Sequence, residues 1–250
     1  MKRKIKNKHV LIIAAGSMVK KYWDKINRFI KENNVVIVGC NSINQILVPD
    51  YHFWGSTRRW KKYGKNINKN SILILPPNFA KKMIRKYWKD SYKIYNPPER
   101  LPGSNTKIHK IIYYYFKNIT MVAILWAYQK KASKISIVGM DGYTFYVESQ
   151  LKSKEHSQHC YGKGFTDGQD YVLCRRKDIR NYGRLKNLYK YGKSKYGFYF
   201  EIITPTIYVK FYNSSYLNIK EKYIGKKLSF DKKKNLKIGK RKKFIKGCKY

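Results

Sequence analysis

The feature that most constrains the fold is an apolar run that passes, through a turn of small residues, into a helical pattern. Residues 10–13 (VLII) precede the turn at 14–17 (AAGS), and apolar residues then recur at spacings of three and four as far as Ile30. Asn33 and Asn34 end this pattern, and the β-branched run at 35–42 (VVIVGCNS) is typical of a buried parallel strand. The chain therefore predicts a β-α-β unit.

The same residues also resemble a secretory signal peptide, with a basic segment at 1–8 and an apolar segment at 10–19. A small-residue cleavage site is missing, and the helical period continues beyond the apolar segment. Lys20 and Lys21 also end the apolar run well short of the roughly 18 residues needed to cross a bilayer. We therefore expect a mature fold in the cytoplasm.

Further strands and helices alternate along the chain. The patterns predict strands at 49–56, 71–78, 134–143 and 200–208, helices at 118–132 and 177–195, and a long irregular connection at 89–106. This alternation indicates an α/β fold with a Rossmann-like, mostly parallel sheet flanked by helices. We predict one domain at 1–219 and a basic C-terminal tail at 220–250, which has 14 Lys and Arg against two Asp and Glu.

The charge of the chain predicts a negatively charged partner. Lys and Arg number 56 against 14 Asp and Glu, which gives a net charge of +42. Such a charge attracts nucleic acid, nucleotides or anionic membrane lipids, and a peripheral position at the membrane surface is one expectation. The abundance of Lys, Asn, Ile and Tyr is equally typical of an A+T-biased genome, so both origins of the charge stay open.

Polar residues follow several predicted strands, where ligands of open α/β sheets collect. Ser17 follows the first strand, Asn41 the second, Ser56 the third, and Asp141 with Tyr143 the strand at 134–143. The turn at 14–17 suits a phosphate near a helix N-terminus, although it is neither G-x-G-x-x-G nor a P-loop. Structural explanations also exist: Ser17 as a helix cap, Asn41 as a turn cap, Asp141 as a loop anchor and Tyr143 in packing.

His156 and His159 lie in a glycine-rich loop that suits a general base. No third histidine or acidic residue stands at a suitable spacing and D-x-D is absent, so no metal site is predicted. The four cysteines form no C-x-x-C pair, and we expect them to be reduced thiols.

The order of these motifs resembles the bacterial lipooligosaccharide sialyltransferases and the related domain of archaeal 6-hydroxymethylpterin pyrophosphokinase-like proteins. The resemblance covers about residues 10–208, through "LIIAAGSM", "VGCNSI", "PDYHFWGS", "NITMVAILWAY" and "SIVGMDGY". It implies a Rossmann-like domain, a CMP-sugar as donor substrate, and no metal or other cofactor. The donor-binding positions that it implies are Ser17, Asn41, Thr120, Tyr143 and Tyr146.

Two departures from the family pattern affect the assignment. The family's first turn usually reads Gly-Asn-Gly-Pro-Ser, whereas this chain has Ala-Ala-Gly-Ser. Alignment of the loops places the family's catalytic histidine at Gly162 or Lys163, so His159 is assigned as the base from its position nearby. Asp141 is the second residue assigned to catalysis.

These observations predict a metal-independent, sialyltransferase-like glycosyltransferase that moves a sugar from a CMP-sugar to a cell-surface glycan or glycolipid precursor. One alternative is diphosphoryl transfer to a pterin, with Mg²⁺ held by Asp141 and Asp167. Another is nucleic-acid binding through Arg58, Arg59 and Trp60, which is less favoured because no RNP, KH or zinc-finger signature is present.

Overall fold

The strands form one sheet in which every neighbouring pair is parallel. The structure, a computed structural model, describes residues 4–77, 79–95, 118–144, 160 and 171–219. Within these residues the sheet has seven strands in the order β5-β4-β3-β2-β1-β6-β7. The strands are β1 His9–Ile13, β2 Val36–Cys40, β3 Tyr51–Phe53, β4 Ile72–Leu75, β5 Lys93–Ile94, β6 Lys134–Val138 and β7 Glu201–Ile202. The predicted α/β fold with a Rossmann-like sheet flanked by helices is confirmed.

Helices connect the strands on both faces of the sheet. They are α1 Met18–Lys21, α2 Trp23–Asn33, α3 Thr57–Tyr63, α4 Lys81–Arg85, α5 Ile119–Gln129 and α6 Tyr171–Tyr196. Short 3-10 turns occupy Asn41–Gln45, Gly64–Asn66, Val209–Phe211 and Ser215–Leu217. None of the helices in the described ranges is long and apolar enough to span a membrane.

The predicted β-α-β unit is confirmed, with Val10 paired to Val36 in the parallel ladder of β1 and β2. The helical segment between them is divided in two at Tyr22, whose backbone (φ −111°, ψ 24°) departs from helical geometry. Asn34 ends α2 in the left-handed conformation that asparagine tolerates. The sequence pattern thus predicts the unit but not the break at Tyr22.

The apolar helix α5 lies in the core because it is buried on all sides. Ten consecutive residues of this helix, 119–128, are buried, and the helix packs against β1 and β2. The Tyr128 hydroxyl accepts the backbone N–H of Phe200 at 2.8 Å, which joins α5 to the chain entering β7. On the opposite face of the sheet, α2 covers Leu11 and Ile13 with Ile26 and Phe29.

Several predicted boundaries differ from the structure, and the strands predicted at 49–56, 71–78 and 134–143 are shorter there. The last strand is shorter than 200–208, because the chain after β7 leaves the sheet at 203–208 and contacts the end of β6 instead. Part of the connection predicted to be irregular forms the edge strand β5, and the helix predicted at 177–195 begins six residues earlier. The proposed tail at 220–250 lies outside the described residues, so the division at 219 stays a prediction.

Candidate functional site

The strand order reverses at the carboxyl ends of β1 and β6, and we call the region outside these strand ends the crevice. The chain moves from β1 to β2 on one side and later crosses to β6 on the other side of β1. In open parallel sheets, ligands bind outside such a reversal of strand order. Ser17 and Gly16 follow β1 here, and Gly139 to Tyr143 follow β6, so these two predicted clusters lie at the same crevice.

The turns after β1 and β6 are in direct contact. Gly16 donates its N–H to the carbonyl of Gly139 at 2.9 Å, and a Cβ at Gly16 would lie only 2.3 Å from that carbonyl oxygen. The N–H of Cys160, the residue after His159 in the sequence, donates to Ala15 O at 3.0 Å. The first turn therefore needs a glycine at position 16 for close packing, which gives Gly16 of the "AAGS" turn a structural explanation.

Asp141 is a buried carboxyl group that stabilises the start of α1. Its side chain is 2% exposed, and Oδ2 accepts the N–H of Met18 at 3.0 Å. Burial raises the pKa of Asp141 to about 8, and the Met18 hydrogen bond opposes this shift. Ser17 makes no side-chain cap bond, so Asp141 performs the capping that the structural explanation assigned to Ser17. The catalytic role of Asp141 stays a prediction.

Threonines after β7 hold the turn that carries Asp141. Gly139, with φ +71°, donates its N–H to Thr204 Oγ1 at 2.9 Å, and Thr206 Oγ1 donates to Met140 O at 2.7 Å. Both threonines are completely buried. Both threonines fall within the strand predicted at 200–208. A β-branched run is compatible with pairing in a sheet and with support of a turn, so the sequence alone did not separate the two.

Tyr143 is positioned by Asp178, a buried residue of α6 that the sequence analysis did not identify. Asp178 Oδ1 accepts the N–H of Tyr143 at 3.0 Å and the hydroxyl of Tyr208 at 2.8 Å. Its Oδ2 accepts the N–H of Thr144 at 2.7 Å and the Thr144 hydroxyl at 2.9 Å. The sequence does carry a signal that Asp178 is buried, because its helical spacing places it on the same face of α6 as the buried residues Cys174, Asn181 and Leu185.

Cationic side chains surround the half-buried ring of Tyr143. Lys177 Nζ lies 5.1 Å from the ring centroid. Burial raises the pKa of the Tyr143 phenol, while the positive charges of Arg59 and Arg180 act in the opposite direction. Burial also lowers the pKa of Lys177. Positive charge from both α3 and α6 thus acts on Tyr143, which favours an anionic ligand there.

Asn41 joins the carboxyl ends of β2 and β3. Its Oδ1 accepts the N–H of Gly55 at 3.0 Å, and its backbone has φ +53°. The backbone carbonyl of Asn41 accepts a hydrogen bond from His52 Nε2 at 2.5 Å. Asn41 is half-buried, and within the described part of the chain its Nδ2 makes no hydrogen bond.

Thr120 is the second residue of α5. The Asn118 side chain caps α5 by accepting the N–H of Thr120 at 3.0 Å. The Thr120 side chain is buried and hydrogen-bonds the Cys40 thiol, whose pKa burial raises to about 12. Ile119 packs against Gly55, so the start of α5 lies at the same edge as Asn41. A contact between Thr120 and a ligand stays a prediction.

Several predicted residues fall outside the described residues. These are His156, His159, Tyr146, Gly162, Lys163 and Asp167. Arg58, Arg59 and Trp60 belong to α3, but Trp60 is buried against Trp54 with ring centroids 5.3 Å apart and is not available for stacking on a base. Cys40, Cys160 and Cys174 are buried, and none of the three forms a disulfide bond within the described residues.

Metal-binding side chains do not cluster in the described ranges, where no three His, Cys, Asp or Glu residues stand close enough to hold an ion together. Metal independence itself stays a prediction.

Comparisons with known proteins found no matching family model and no matching curated protein. The case for function therefore depends on the geometry of the crevice.

Proposed function

We propose that the protein is a glycosyltransferase that binds a nucleotide-sugar donor in the crevice beside β1, β2 and β6. The observation that supports the proposal is that Asn41 follows β2 and Tyr143 comes after β6, the two strands that flank β1, so both lie at the carboxyl edge of the sheet. Cations from two different helices act on Tyr143. Each of these side chains has a structural explanation of its own. Their common position at a reversal of strand order favours a shared ligand.

The phosphate of the donor is the group that these residues suit best. Asn41 Nδ2 and the Tyr143 hydroxyl supply hydrogen-bond donors, and Arg59 and Lys177 supply positive charge. Donors fixed in place before reaction stabilise the charge that develops on a leaving phosphate. Asp178 and Thr144 hold the backbone turn that carries Tyr143, which limits the backbone rearrangement needed when a ligand binds.

The proposed reaction breaks one bond and forms one bond at the anomeric carbon. An acceptor hydroxyl oxygen attacks this carbon, and the bond to the phosphate oxygen breaks with its electron pair leaving on CMP. The proton of the acceptor hydroxyl passes to a general base, for which His159 is the proposed residue. No redox partner is needed.

The acceptor in this proposal is a cell-surface glycan or glycolipid precursor. The net charge of +42 would attract the protein to an anionic membrane, with about 1 kcal/mol contributed by each Lys or Arg near the surface. The enzyme would then act in the cytoplasm at the membrane surface, where lipid-linked acceptors are found.

A thermal-shift screen tests donor binding. Purified protein is heated with CMP, CDP, UDP, GDP, ATP or a pterin at high salt, because a ligand of the native state raises the melting temperature by mass action. The variant Asn41→Asp keeps an oxygen for Gly55 N–H and replaces the ligand-facing amide with a negative charge. We expect CMP to stabilise the wild type and not this variant.

Asn70→Asp is the matched control, since it introduces the same charge at an exposed turn and should retain the CMP response. Release of CMP from a CMP-sugar in EDTA then tests transfer without a metal. A response to ATP and pterin that requires Mg²⁺ would instead indicate the pyrophosphokinase. RNA binding without any response to nucleotides would overturn both enzyme functions.

A further inference from the structure

One continuous stretch of the chain carries positive charge without any acidic residue to balance it. Residues 51–89 contain eleven Lys and Arg and no Asp or Glu, so the stretch has a charge of +11. It forms β3, α3, β4 and α4, which belong to the half of the sheet that ends at β5. This half is therefore a candidate for contact with a polyanion.

Tyr87, which follows α4, brings lysines from α3 and α4 to one surface. Its hydroxyl donates to Lys61 O at 3.0 Å, and its ring lies against Gly64, where an added Cβ would be 2.8 Å from Cδ2. Lys86 Nζ lies 5.3 Å from the centroid of the same ring. Lys65 is the neighbour of Gly64 in the chain, and all three lysines are exposed. They border one ring, and we call this region the Tyr87 surface.

Packing beneath the Tyr87 surface fixes α3 against α4. The indole Nε1 of Trp60 donates to Met83 O at 2.9 Å, and the rings of Trp60 and Tyr87 have centroids 6.3 Å apart. Trp60 and Ile84 are each 0% exposed, so the two helices share a buried contact. The fold thus holds like charges close together, and their mutual repulsion is relieved when an anionic surface binds.

The aromatic residues of this region favour a membrane over a nucleic acid. Single-stranded nucleic acids bind to exposed rings on which the bases stack. Trp60 and Trp88 are buried instead, and a backbone carbonyl accepts the Tyr87 hydroxyl. Tyr63 and Tyr87 are half-buried, with one part of the ring in the apolar core and another at the surface. Such rings are typical of proteins at a membrane interface.

The kind of cation points the same way. Eight of the eleven cations in 51–89 are lysines and three are arginines. Arginine is the residue that recognises the phosphates of nucleic acids with two parallel hydrogen bonds, whereas lysine acts as a mobile point charge. Point charges on flexible side chains suit a fluid layer of anionic headgroups, where no fixed geometry is required.

We propose that the Tyr87 surface binds an anionic lipid membrane. The inference rests on the part of the proposed function that places the acceptor at the membrane, and it assigns that contact to one surface. The same helix α3 carries Arg59, whose charge acts on Tyr143 at the crevice. A protein bound through this surface would therefore hold its donor site near the headgroups, within reach of a lipid-linked acceptor.

Sedimentation with lipid vesicles tests the proposal. The full chain is mixed with vesicles of phosphatidylcholine, with and without phosphatidylglycerol, and the bound fraction is measured against lipid concentration. We expect binding only when phosphatidylglycerol is present, with a decrease as salt is added. The double variant Lys61→Glu/Lys86→Glu should bind at least roughly tenfold more weakly, and Lys65→Glu, which leaves the contact of Lys86 with Tyr87 intact, roughly fivefold more weakly.

Lys190→Glu/Lys193→Glu is the matched control for the double variant. Both lysines are exposed residues of α6, and Tyr189 beside them stacks on Tyr199, close to the start of β7 at the other end of the sheet. The change in net charge is the same in both double variants. We expect this control to bind the vesicles as the wild type does.

Equal losses in the two double variants would show that net charge, and not the Tyr87 surface, holds the protein at the membrane, and would overturn the proposal. Loss of RNA binding with retained vesicle binding in Lys61→Glu/Lys86→Glu would identify a nucleic acid as the partner and would also overturn it. Thermal shift with CMP separates this proposal from the proposed function. Vesicle binding that depends on Lys61 and Lys86, in a protein that CMP does not stabilise, would support the membrane surface and refute the donor site.

Discussion

Asp178 Oδ2 accepts two hydrogen bonds from Thr144, one from the backbone N–H at 2.7 Å and one from the hydroxyl at 2.9 Å. Together with the bonds that Oδ1 receives from Tyr143 N–H and Tyr208, this gives a buried carboxylate four donors. Burial raises the pKa of Asp178, and all four donors oppose the shift. The long helix α6 thereby fixes the turn that presents Tyr143 to the crevice.

Replacement of Asp178 by asparagine should loosen this turn. Asparagine has nearly the same shape, but its NH₂ group would face a backbone N–H of Tyr143 or Thr144, donor against donor. We expect a loss of roughly 2–3 kcal/mol in the free energy of unfolding, measured by urea denaturation. Glu32→Gln, at an exposed position of α2, removes one negative charge as a control and should change stability by less than about 0.5 kcal/mol.

Gly16→Ala should disrupt the contact between the turns after β1 and β6. The new methyl group would lie 2.3 Å from Gly139 O and 2.4 Å from Asp141 Oδ2, and a backbone carbonyl cannot move away cheaply. We expect a destabilisation of roughly 1–3 kcal/mol in chemical unfolding.

Gly183→Ala is the control for that substitution. Gly183 lies in α6 with nothing within 4 Å of the added Cβ, so alanine should increase stability by about 0.5–1 kcal/mol through its higher helix propensity. Equal effects of the two substitutions would show that the close contact at Gly16 is not maintained in solution.

Local apolar patterns predicted much of this fold, and long-range pairings account for what they missed. The periods of two and of three to four residues identify β1, β2, α2 and α5 because each element carries its own buried face. Asp178 and its partner Thr144 are 34 residues apart, and no local pattern reports such a bond.

The candidate site was predicted unevenly for the same reason. Asn41 follows β2 directly and Tyr143 lies five residues after the end of β6, so the rule that ligands collect at carboxyl edges selected both as candidates. Arg59 reaches the neighbourhood of Tyr143 only through the packing of α3 beside the sheet, and its sequence context suggested nucleic-acid binding instead. A residue that reaches a site from a helix packed against the sheet can be recognised only from the tertiary structure.

Asp141 should make stability depend on pH. Its pKa is raised from 3.8 to about 8 in the folded protein by burial, so the native state binds more protons than the unfolded state between these values. The contribution of Asp141 to the free energy of unfolding is fully present below pH 4 and is lost as the pH rises through about 8. The loss is at most about 1.4 kcal/mol for each pH unit.

The variant Asp141→Asn isolates this contribution, because its amide oxygen still accepts Met18 N–H and the side chain does not titrate. The free energy of unfolding of both proteins is measured in urea from pH 4 to 8. The difference between them excludes the other titrating groups that both proteins share, including His52, whose pKa burial lowers to about 4. The stability of the wild type should fall relative to the variant as the pH rises. A constant difference across this range would show that Asp141 is ionised throughout.

Arg59→Ala should weaken binding of a phosphorylated ligand because it removes positive charge beside Tyr143. We expect the Kd for CMP to rise roughly tenfold, which corresponds to about 1.4 kcal/mol, in isothermal titration at moderate salt. Arg58→Ala is a close control, since Arg58 is the preceding residue of α3 and is exposed. The two variants lose the same formal charge, so a general electrostatic attraction would weaken binding equally in both. A larger effect at Arg59, which diminishes as salt is added, would place the anion at the crevice beside Tyr143.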